Sequence, residues 1–290
     1  MSNSTKSMLN KICVVTGATS GIGKETAKAL AIEGATIIIV GRDVKKCIST
    51  VNQIKKHSGN SLVDYICSDL SDLKQVHNLT ETLKQSHDHI DVLVNNAGAY
   101  FITRQESVDA YEMNLALNYL SPVLLTTLLQ DMLDKSVQGR IINVSSIAHL
   151  KGSINFDNLQ SKLQSKLQFI GFKAYAQSKL ALILYTYELA RKLKNTKITV
   201  NALHPGFVAT NFGKNNGLLR FYIRRFTKGK NDISAKEGAE TIIFLATSPN
   251  VTNLTSGYFV NNKQVKSSDK SYDQDLAKQL WDVTENLIKI

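Results

Sequence analysis

The 290-residue sequence is poor in the features that mark secreted and membrane-spanning proteins. Its three cysteines, Cys13, Cys47 and Cys67, form no CxxC motif and cannot all be paired, which predicts reduced thiols. No stretch approaches the ~20 apolar residues that cross a bilayer, and the polar residues 1–10 lack the apolar segment of a signal peptide. These absences predict a cytoplasmic protein.

Acidic residues are scarce relative to basic ones, with 24 Asp and Glu against 35 Lys and Arg and a formal charge of +11. Such an excess suits anionic ligands, an acidic membrane surface or nucleic acid. The basic residues are spread along the chain and lack the interleaved aromatic residues of a single-strand binder. We therefore expect a soluble, basic surface and no nucleic-acid partner.

Short apolar runs alternate with helical patterns along the whole chain. Strands are predicted over 12–16, 36–40, 62–67, 92–95, 140–144, 197–203 and 258–260. Helices are predicted over 22–33, 44–56, 73–86, 110–133, 174–194 and 274–288, the last within a C-terminal segment 269–288. Repeated βαβ units predict an α/β fold, a doubly wound parallel sheet with helices on both faces. Because the sequence contains no recognisable linker, residues 1–290 are expected to form one domain.

Two segments depart from this alternation. Residues 159–168 repeat Leu-Gln-Ser-Lys and predict a short amphipathic insert whose leucines at 159, 163 and 167 pack inward. Residues 213–230, within a predicted flap over 211–232, mix bulky apolar side chains with arginines and lysines. This segment is either a flap packed over a pocket or a contact with a membrane surface, and both interpretations stay open.

A glycine-rich turn, Thr16–Gly23, follows the first strand and opens the first helix. Gly17 allows the tight turn, Gly21 lets the backbone approach a phosphate, and Gly23 permits close helix packing. The free N–H groups and dipole of the helix N-terminus favour a pyrophosphate. The predicted contacts in this turn are Gly17, Thr19, Ser20, Gly21, Ile22 and Gly23.

The end of the second strand indicates which dinucleotide binds. An NAD-preferring site usually has an acidic residue there for the ribose 2′-hydroxyl. Here the place is taken by Gly41, followed by Arg42. A guanidinium suits a 2′-phosphate, so the sequence favours NADP(H), although Arg42 could instead pair with Asp43 or solvent.

Tyr175 and Lys179 are one helical turn apart and lie on one face of a predicted helix. A phenol ordinarily has a pKa of ~10, and a neighbouring cation lowers that pKa. Beside a nicotinamide, such a tyrosine can exchange a proton with a carbonyl oxygen while hydride moves at carbon. The pair therefore predicts alcohol–carbonyl redox chemistry.

Together these motifs resemble the short-chain dehydrogenase/reductase family, which implies a single-domain Rossmann fold. Asn95-Asn96-Ala97-Gly98 and Pro205-Gly206 are similar to two further motifs of that family. Gly41-Arg42-Asp43, the run 143–149 and the ending Ala277–Trp281 resemble the retinol dehydrogenases and the WW-domain-containing oxidoreductases. That branch implies NADP(H)-linked interconversion of lipophilic alcohols with aldehydes or ketones, without a metal. The family includes dimers and tetramers, so a homo-oligomer stays open.

The resemblance also implies individual roles. Tyr175 would be the acid/base, Lys179 its pKa-lowering partner and a ribose ligand, and Ser146 the holder of the substrate oxygen, with Ser145 the alternative. Asn118 would complete a proton relay, which Asn114 matches less well. Further cofactor contacts are implied for Asp69, Leu70, Asn96, Ala97, Gly98, Pro205, Gly206, Val208 and Thr210. The competing functions are a steroid or small-ketone reductase and a non-catalytic NADP-binding interaction protein.

Pro122 lies four residues after Asn118 and has no N–H to donate to the Asn118 carbonyl. Two interpretations are equally open. The free carbonyl could hold a water molecule that links Lys179 to solvent, or the proline could simply kink a long helix.

Overall fold

An eight-stranded sheet organises the computed structural model of the chain, which describes residues 6–162, 169–208 and 233–289. The strand order is β3-β2-β1-β4-β5-β6-β7-β8, and every neighbouring pair is parallel except β7 and β8. The strands are β1 Ile12–Thr16, β2 Thr36–Gly41, β3 Val63–Cys67, β4 Val92–Asn95, β5 Arg140–Val144, β6 Thr199–Leu203, β7 Gly257–Val260 and β8 Lys263–Gln264. The reversal of order at β1 and β4 confirms the predicted doubly wound α/β fold.

Helices cover both faces of this sheet. They are α1 Gly21–Ile32, α2 Val44–Ser58, α3 Leu73–Ser86, α4 Met113–Leu115, α5 Ser121–Leu128, α6 Gln130–Asp134, α7 Gly171–Lys192, α8 Ala235–Thr247 and α9 Gln274–Ile288. Among the described residues, none of these helices is long and apolar enough to cross a membrane.

Strand β2 shows how the sequence builds two cores. Ile37 and Ile39 face one core, shared with α1, α2 and α8, whereas Ile38 and Val40 face the other, shared with α3, α5, α7 and α9. Successive side chains of a strand point to opposite faces, so a continuous β-branched run fills both cores. The insert predicted after residue 158 contributes Leu159, which is 6% exposed, to the second core. Leu163, Leu167 and the flap at 211–232 lie outside the described residues.

The helix predicted over 110–133 is wrong as one continuous element. Its path is α4, a π-helical turn over Ala116–Leu120, and then α5 and α6. The N–H of Ser121 donates to the Ala116 carbonyl, which is the wider spacing of a π-turn. Pro122 then sits in the first turn of α5, where its missing N–H is tolerated.

Two other elements were absent from the prediction. Helix α8 begins at a capping box, in which the Ser234 hydroxyl accepts from the Glu237 N–H and the Glu237 carboxylate accepts from the Ser234 N–H. Strand β8 returns antiparallel through Asn261 and Asn262, whose φ angles of 49° and 62° are typical of a tight hairpin turn. The predicted bounds shift slightly elsewhere: β6 begins at Thr199, α7 begins at Gly171, and the 269–288 segment is a short 3₁₀ turn followed by α9.

Candidate active site

The carboxyl ends of the parallel strands bring the predicted site residues to one edge of the sheet. The glycine-rich turn follows β1, Asn96 to Gly98 follow β4, Ser146 follows β5 and Pro205 follows β6. Ligands of open α/β sheets bind at this edge, at the point where the strand order reverses. The fold therefore collects residues that are far apart in sequence.

The glycine-rich turn is packed tightly against the segment that follows β4. Gly17 has a φ of +64°, and a Cβ added to it would lie 2.8 Å from the Ala97 Cα. A Cβ on Gly23 would lie 2.5 Å from the Asn96 Nδ2. Both positions require glycine, the first for its backbone angle as well as for space.

Asn96 is hydrogen-bonded through its side chain to the backbone of the glycine-rich turn. Its side-chain amide donates to the Thr16 carbonyl at 2.8 Å. The Thr16 hydroxyl accepts from the N–H groups of Asn96 and Ala97, both at 2.9 Å, and donates to the Val94 carbonyl at 3.2 Å. Asn96 thus shapes the cofactor turn through its side chain, a role that the motif alone did not specify.

The start of α1 fits a pyrophosphate. The Ser20 hydroxyl does not cap the helix, and no acidic side chain occupies the first turn. The first-turn N–H groups and the positive end of the helix dipole are therefore left to an anionic ligand.

Arg42 lies at the end of β2 with its side chain exposed. The alternative partner, Asp43, is engaged elsewhere: its carboxylate caps α2 by accepting from the Lys46 N–H at 3.1 Å and lies 3.7 Å from the Lys46 Nζ. No ion pair joins Arg42 to another residue in the described ranges. The Arg42 side chain is therefore exposed at the end of β2, and its contact with a 2′-phosphate stays a prediction.

Asp69 and Leu70 follow β3, the strand beside β2. The Asp69 carboxylate accepts from the N–H and hydroxyl of Ser71 at 3.0 and 2.7 Å. Leu70 is 6% exposed and packs in the core. An adenine contact at these residues stays a prediction.

The turn after β6 is shaped around Ile233. Gly206 has a φ of +87°, and a Cβ there would lie 2.5 Å from the Ile233 Cδ1. The Ile233 N–H donates to the Phe207 carbonyl at 3.0 Å, and Val208 pairs with Ile233 as an isolated parallel bridge. Thr210, the last predicted contact of this turn, lies outside the described residues.

Tyr175, Ser146 and Lys179 come together as predicted. The side chains of Tyr175 and Ser146 are hydrogen-bonded, and the Lys179 Nζ lies 5.8 Å from the centre of the Tyr175 ring. Tyr175 is 8% and Lys179 4% exposed. The Lys179 ammonium donates to the Val144 carbonyl at 2.9 Å.

The expected lowering of the Tyr175 pKa by Lys179 is wrong for this structure. Burial raises the pKa of Tyr175 to about 12, although the hydrogen bond from Ser146 partly opposes the rise. Burial also lowers the pKa of Lys179 to about 8. Burial disfavours both the Tyr175 phenolate and the Lys179 ammonium, because a buried charge loses hydration. The Lys179 ammonium is directed at a backbone carbonyl, that of Val144.

The two adjacent serines have different surroundings. Ser145 is 3% exposed and donates its hydroxyl to the Lys179 carbonyl at 2.9 Å. Ser146 is half-buried, and its Oγ accepts from the Ala148 N–H at 3.2 Å while it also bonds Tyr175. This geometry favours Ser146 over Ser145 as the residue that meets substrate.

Asn118 lies in the π-turn and binds the backbone rather than Lys179. Its amide oxygen accepts from the Ala99 N–H, and its amide nitrogen donates to the Ala99 carbonyl, both at 2.9 Å. A Cβ on Gly98 would lie 2.8 Å from the Asn118 Oδ1 and 3.4 Å from the Lys179 Nζ. Gly98 therefore permits the close approach of both side chains.

Asn114 makes the same pair of bonds one turn earlier, and sequence reasoning underrated it. Its amide oxygen accepts from the Phe101 N–H at 3.0 Å and its amide nitrogen donates to the Phe101 carbonyl at 3.2 Å. The four-residue spacing from Asn118 was the available signal, since residues at that spacing share a helix face.

His149 and His204 lie near the site, and burial lowers the pKa of both, so both are neutral at pH 7. The His149 Nδ1 lies 2.7 Å from the Ser146 carbonyl, and its Nε2 accepts from the Ser268 N–H at 3.1 Å. These bonds specify the Nδ1-protonated tautomer and tie Ser146 to the segment before α9. Burial lowers the pKa of His204 to about 4.

Comparison with known proteins agrees with this geometry. The sequence model of the short chain dehydrogenases matches residues 11–218. Human retinol dehydrogenase 12 is 37% identical over 280 residues, covering 97% of this chain and 87% of the relative. An uncharacterized protein from Mycobacterium paratuberculosis has a TM-score of 0.78 at 29% identity and covers 97% of this chain and 94% of its own. The Pseudomonas aeruginosa RhlG/NADP active-site complex has a TM-score of 0.70 at 26% identity, with coverages of 89% and 97%.

Proposed function

Because the chain belongs to the short chain dehydrogenase family, we propose that it interconverts a lipophilic alcohol and its aldehyde or ketone with NADP(H). The family assignment makes it an oxidoreductase that uses a nicotinamide cofactor on CH–OH donors, with relatives among the retinol dehydrogenases. The observation that carries the proposal is that the buried Tyr175 and Lys179 lie together with the half-buried Ser146 at the carboxyl edge of the sheet.

Tyr175 and Ser146 would act on the same substrate oxygen. The bound cofactor supplies or accepts hydride at the substrate carbon. In the reductive direction Tyr175 donates its proton to the carbonyl oxygen, and the Ser146 hydroxyl stabilises the charge that develops there. Their mutual hydrogen bond places two hydroxyl donors where one oxygen can meet both. The high pKa of Tyr175 keeps the phenol protonated and ready to donate.

Lys179 and Asn118 would restore the proton. The pKa of Lys179, lowered to about 8 by burial, allows its amine to lose and regain a proton near neutral pH. Asn118 fixes the backbone at Ala99 beside Lys179, with Gly98 leaving room for both. Because Pro122 has no N–H to donate to the Asn118 carbonyl, we include a water molecule at that carbonyl in the proposed relay.

The choice of NADP(H) rests on Arg42. The exposed guanidinium at the end of β2 suits the 2′-phosphate, and the adjacent Asp43 is occupied by α2 and Lys46. The similar RhlG structure is a complex with NADP, which supports the same choice.

Exposed apolar side chains around the site support a lipophilic substrate. Six large apolar residues in the segments that follow Gly98 and Ser146, at the start of α7 and after Gly206 are between 37% and 50% exposed: Ile102, Ile147, Leu150, Ile170, Phe172 and Phe207. Ile147 and Leu150 follow Ser146, and Ile170 and Phe172 lie one helical turn before Tyr175. Binding of an apolar ligand to such surface is favourable, because it removes apolar area from water. A retinoid, a long-chain aldehyde or a ketosteroid meets that requirement.

The test is NADPH oxidation with a carbonyl panel containing retinal, long-chain aldehydes and ketosteroids. We expect wild-type turnover with at least one lipophilic carbonyl and a loss of at least ~100-fold in Tyr175→Phe, because the phenol supplies the proton. Tyr187→Phe removes a hydroxyl from the same helix away from Ser146 and serves as the control. Equal background rates in wild type and Tyr175→Phe would instead indicate the non-catalytic, NADP-binding alternative.

A further inference from the structure

The aromatic ring of Tyr100 lies against that of Tyr175, the proposed acid/base. The ring centres of Tyr100 and Tyr175 are 5.4 Å apart, with an angle of 60° between the ring planes. Tyr100 is half-buried, and burial raises its pKa, so its phenol stays neutral. A neutral aromatic ring therefore lies against the ring of the residue that would donate the proton.

The backbone on both sides of Tyr100 is held by a matched pair of amides. Asn118 makes two hydrogen bonds to Ala99, and Asn114 makes two to Phe101. Each amide satisfies one N–H and one carbonyl of the residue that it binds. These four bonds fix the chain immediately before and after Tyr100, and hence the position from which its ring projects.

Two further features secure this segment. The Glu112 carboxylate is buried and accepts from the Asn114 side-chain amide at 2.7 Å, which orients that amide toward Phe101. At the start of α7, a Cβ on Gly171 would lie 2.4 Å from the Phe101 carbonyl oxygen. Only glycine allows this close packing, and Gly171 is one helical turn before Tyr175. The segment that contains Tyr100 is thus packed closely against the helix that carries Tyr175.

We propose that Tyr100 is a substrate-positioning residue that selects planar, conjugated or aromatic carbonyls over non-planar saturated ones. The inference rests on the proposed function, because it takes Tyr175 as the group that holds the carbonyl oxygen. A substituent on that carbonyl carbon would come within reach of the Tyr100 ring, because the Tyr100 and Tyr175 ring centres are 5.4 Å apart. Aromatic groups attract one another at centroid separations of about 4.5–7 Å, in offset or edge-to-face arrangements, and a flat conjugated group can adopt them. A saturated ring of similar size has no π-system and therefore gains no such attraction.

The experiment compares two substrates of matched skeleton, cinnamaldehyde and 3-cyclohexylpropanal, in wild type, Tyr100→Leu and Tyr100→Phe. The readout is the ratio of kcat/KM for the planar to that for the saturated aldehyde, measured with NADPH. We expect Tyr100→Leu to lower this ratio by about 2- to 10-fold, mainly through KM, because it removes an aromatic contact. Tyr100→Phe keeps the ring and should keep the ratio. Tyr65→Leu, on the edge strand β3, controls for the loss of a tyrosine elsewhere.

A binding measurement separates this inference from the proposed function. Calorimetric Kd values of cinnamyl alcohol and 3-cyclohexylpropanol for the NADPH-loaded protein should show the same change of about 2- to 10-fold. No turnover accompanies this binding, because an alcohol cannot accept hydride from a reduced cofactor. Absence of turnover in wild type with every carbonyl would overturn the proposed function, while the Kd ratio would still decide the role of Tyr100. Unchanged ratios in Tyr100→Leu by both measurements would overturn the inference, even if its Tm falls, since that pattern marks a purely structural residue.

Discussion

Individual side chains at the carboxyl edge of the sheet divide between shaping the site and remaining available to a ligand. The Asn96 amide and the Thr16 hydroxyl are used within the protein, where they hold the glycine-rich turn. Arg42 has no such internal use among the described residues, whereas its neighbour Asp43 caps α2. A charged group without an internal partner at a cofactor edge is the residue on which cofactor preference should depend.

We predict that Arg42→Ala weakens NADPH binding by about 10- to 100-fold, because a hydrogen bond to a charged group contributes about 1.5–3 kcal/mol. NADH binding should change little, since NADH has no 2′-phosphate. Fluorescence titration of both reduced cofactors measures the effect. Lys46→Ala removes a nearby cation that is paired with Asp43 and is the matched control. Retained NADPH affinity in Arg42→Ala, or a wild type that prefers NADH, would contradict the NADP(H) assignment.

For Tyr175 and Lys179 the sequence predicted the relative position of the two side chains but not the direction of the pKa shift of Tyr175. The helical spacing of Tyr175 and Lys179 correctly predicted that they share a face, and the structure brings Ser146 to the same place. The direction of the Tyr175 pKa shift was missed because a spacing rule carries no information on burial. Two buried groups lose hydration together, which raises the pKa of the phenol and lowers that of the amine.

At the scale of elements, the C-terminal helix α9 completes the core beneath the catalytic helix. Leu280 is 1% exposed, and the Trp281 ring stacks on Tyr185 of α7 at 5.5 Å between centres. The Thr284 hydroxyl bonds that of Tyr119 in the π-turn at 2.7 Å. Helix α9 therefore packs against both α7, the helix of Tyr175 and Lys179, and the π-turn that contains Asn118.

Leu280→Ala is predicted to lower the free energy of unfolding by about 2–5 kcal/mol, because it leaves a cavity between α9 and the core. Gln279→Ala, at an exposed position one residue earlier, should change it by less than about 0.5 kcal/mol. Urea denaturation followed by the fluorescence of Trp281, the single tryptophan, and by circular dichroism measures both variants. Equal stabilities for the two variants would show that α9 is not part of the cooperative core.

Sequence periodicity located most elements but not their irregularities. The bounds of β1, β4, β5, α3 and α9 were predicted to the residue, because strong apolar patterns end at turn or capping residues. The π-turn at Ala116–Leu120 was missed, since its apolar pattern also fits an α-helix and only Pro122 signalled a break. The bonds of Asn114 and Asn118 depend on that turn and on a backbone segment that lies 13 to 19 residues earlier in the sequence. Local patterns do not encode such contacts.

At the scale of the whole molecule, the two edges of the sheet have different tasks. The candidate active site lies at the carboxyl edge. At the amino edge, the buried side chain of Asp91, which is 2% exposed, links neighbouring segments of the chain. Its carboxylate accepts from the Ile12 N–H at 2.8 Å, the Ser136 hydroxyl at 2.6 Å and the Lys11 ammonium at 3.0 Å. These bonds connect the starts of β1 and β4 to the chain before β5. Stability and catalysis can therefore be changed separately.

We predict that Asp91→Asn lowers the free energy of unfolding at pH 7 by about 1.5–3 kcal/mol, the range for hydrogen bonds to a charged group. Burial alone would raise the pKa of Asp91, but the bonds from Ser136, Ile12 and Lys11 outweigh it and hold that pKa below its usual value. A folded pKa below the unfolded one gives stability that is present above the unfolded value of ~3.9 and lost as the pH falls through the folded value. The difference between wild type and Asp91→Asn should therefore shrink as the pH is lowered from 7 toward 3.

Urea denaturation at fixed ionic strength and several pH values tests this dependence, with the exposed Asp64→Asn as the control for a lost surface carboxylate. The control should leave the stability within about 0.5 kcal/mol of wild type. Turnover of folded Asp91→Asn with NADPH should match wild type, because Asp91 lies at the opposite edge of the sheet from Tyr175. A stability difference that stays constant from pH 7 to pH 3 would show that Asp91 acts through packing rather than through its charge. The net charge of +11 grows further in acid, so self-repulsion adds to the loss in every variant and cancels in the comparison.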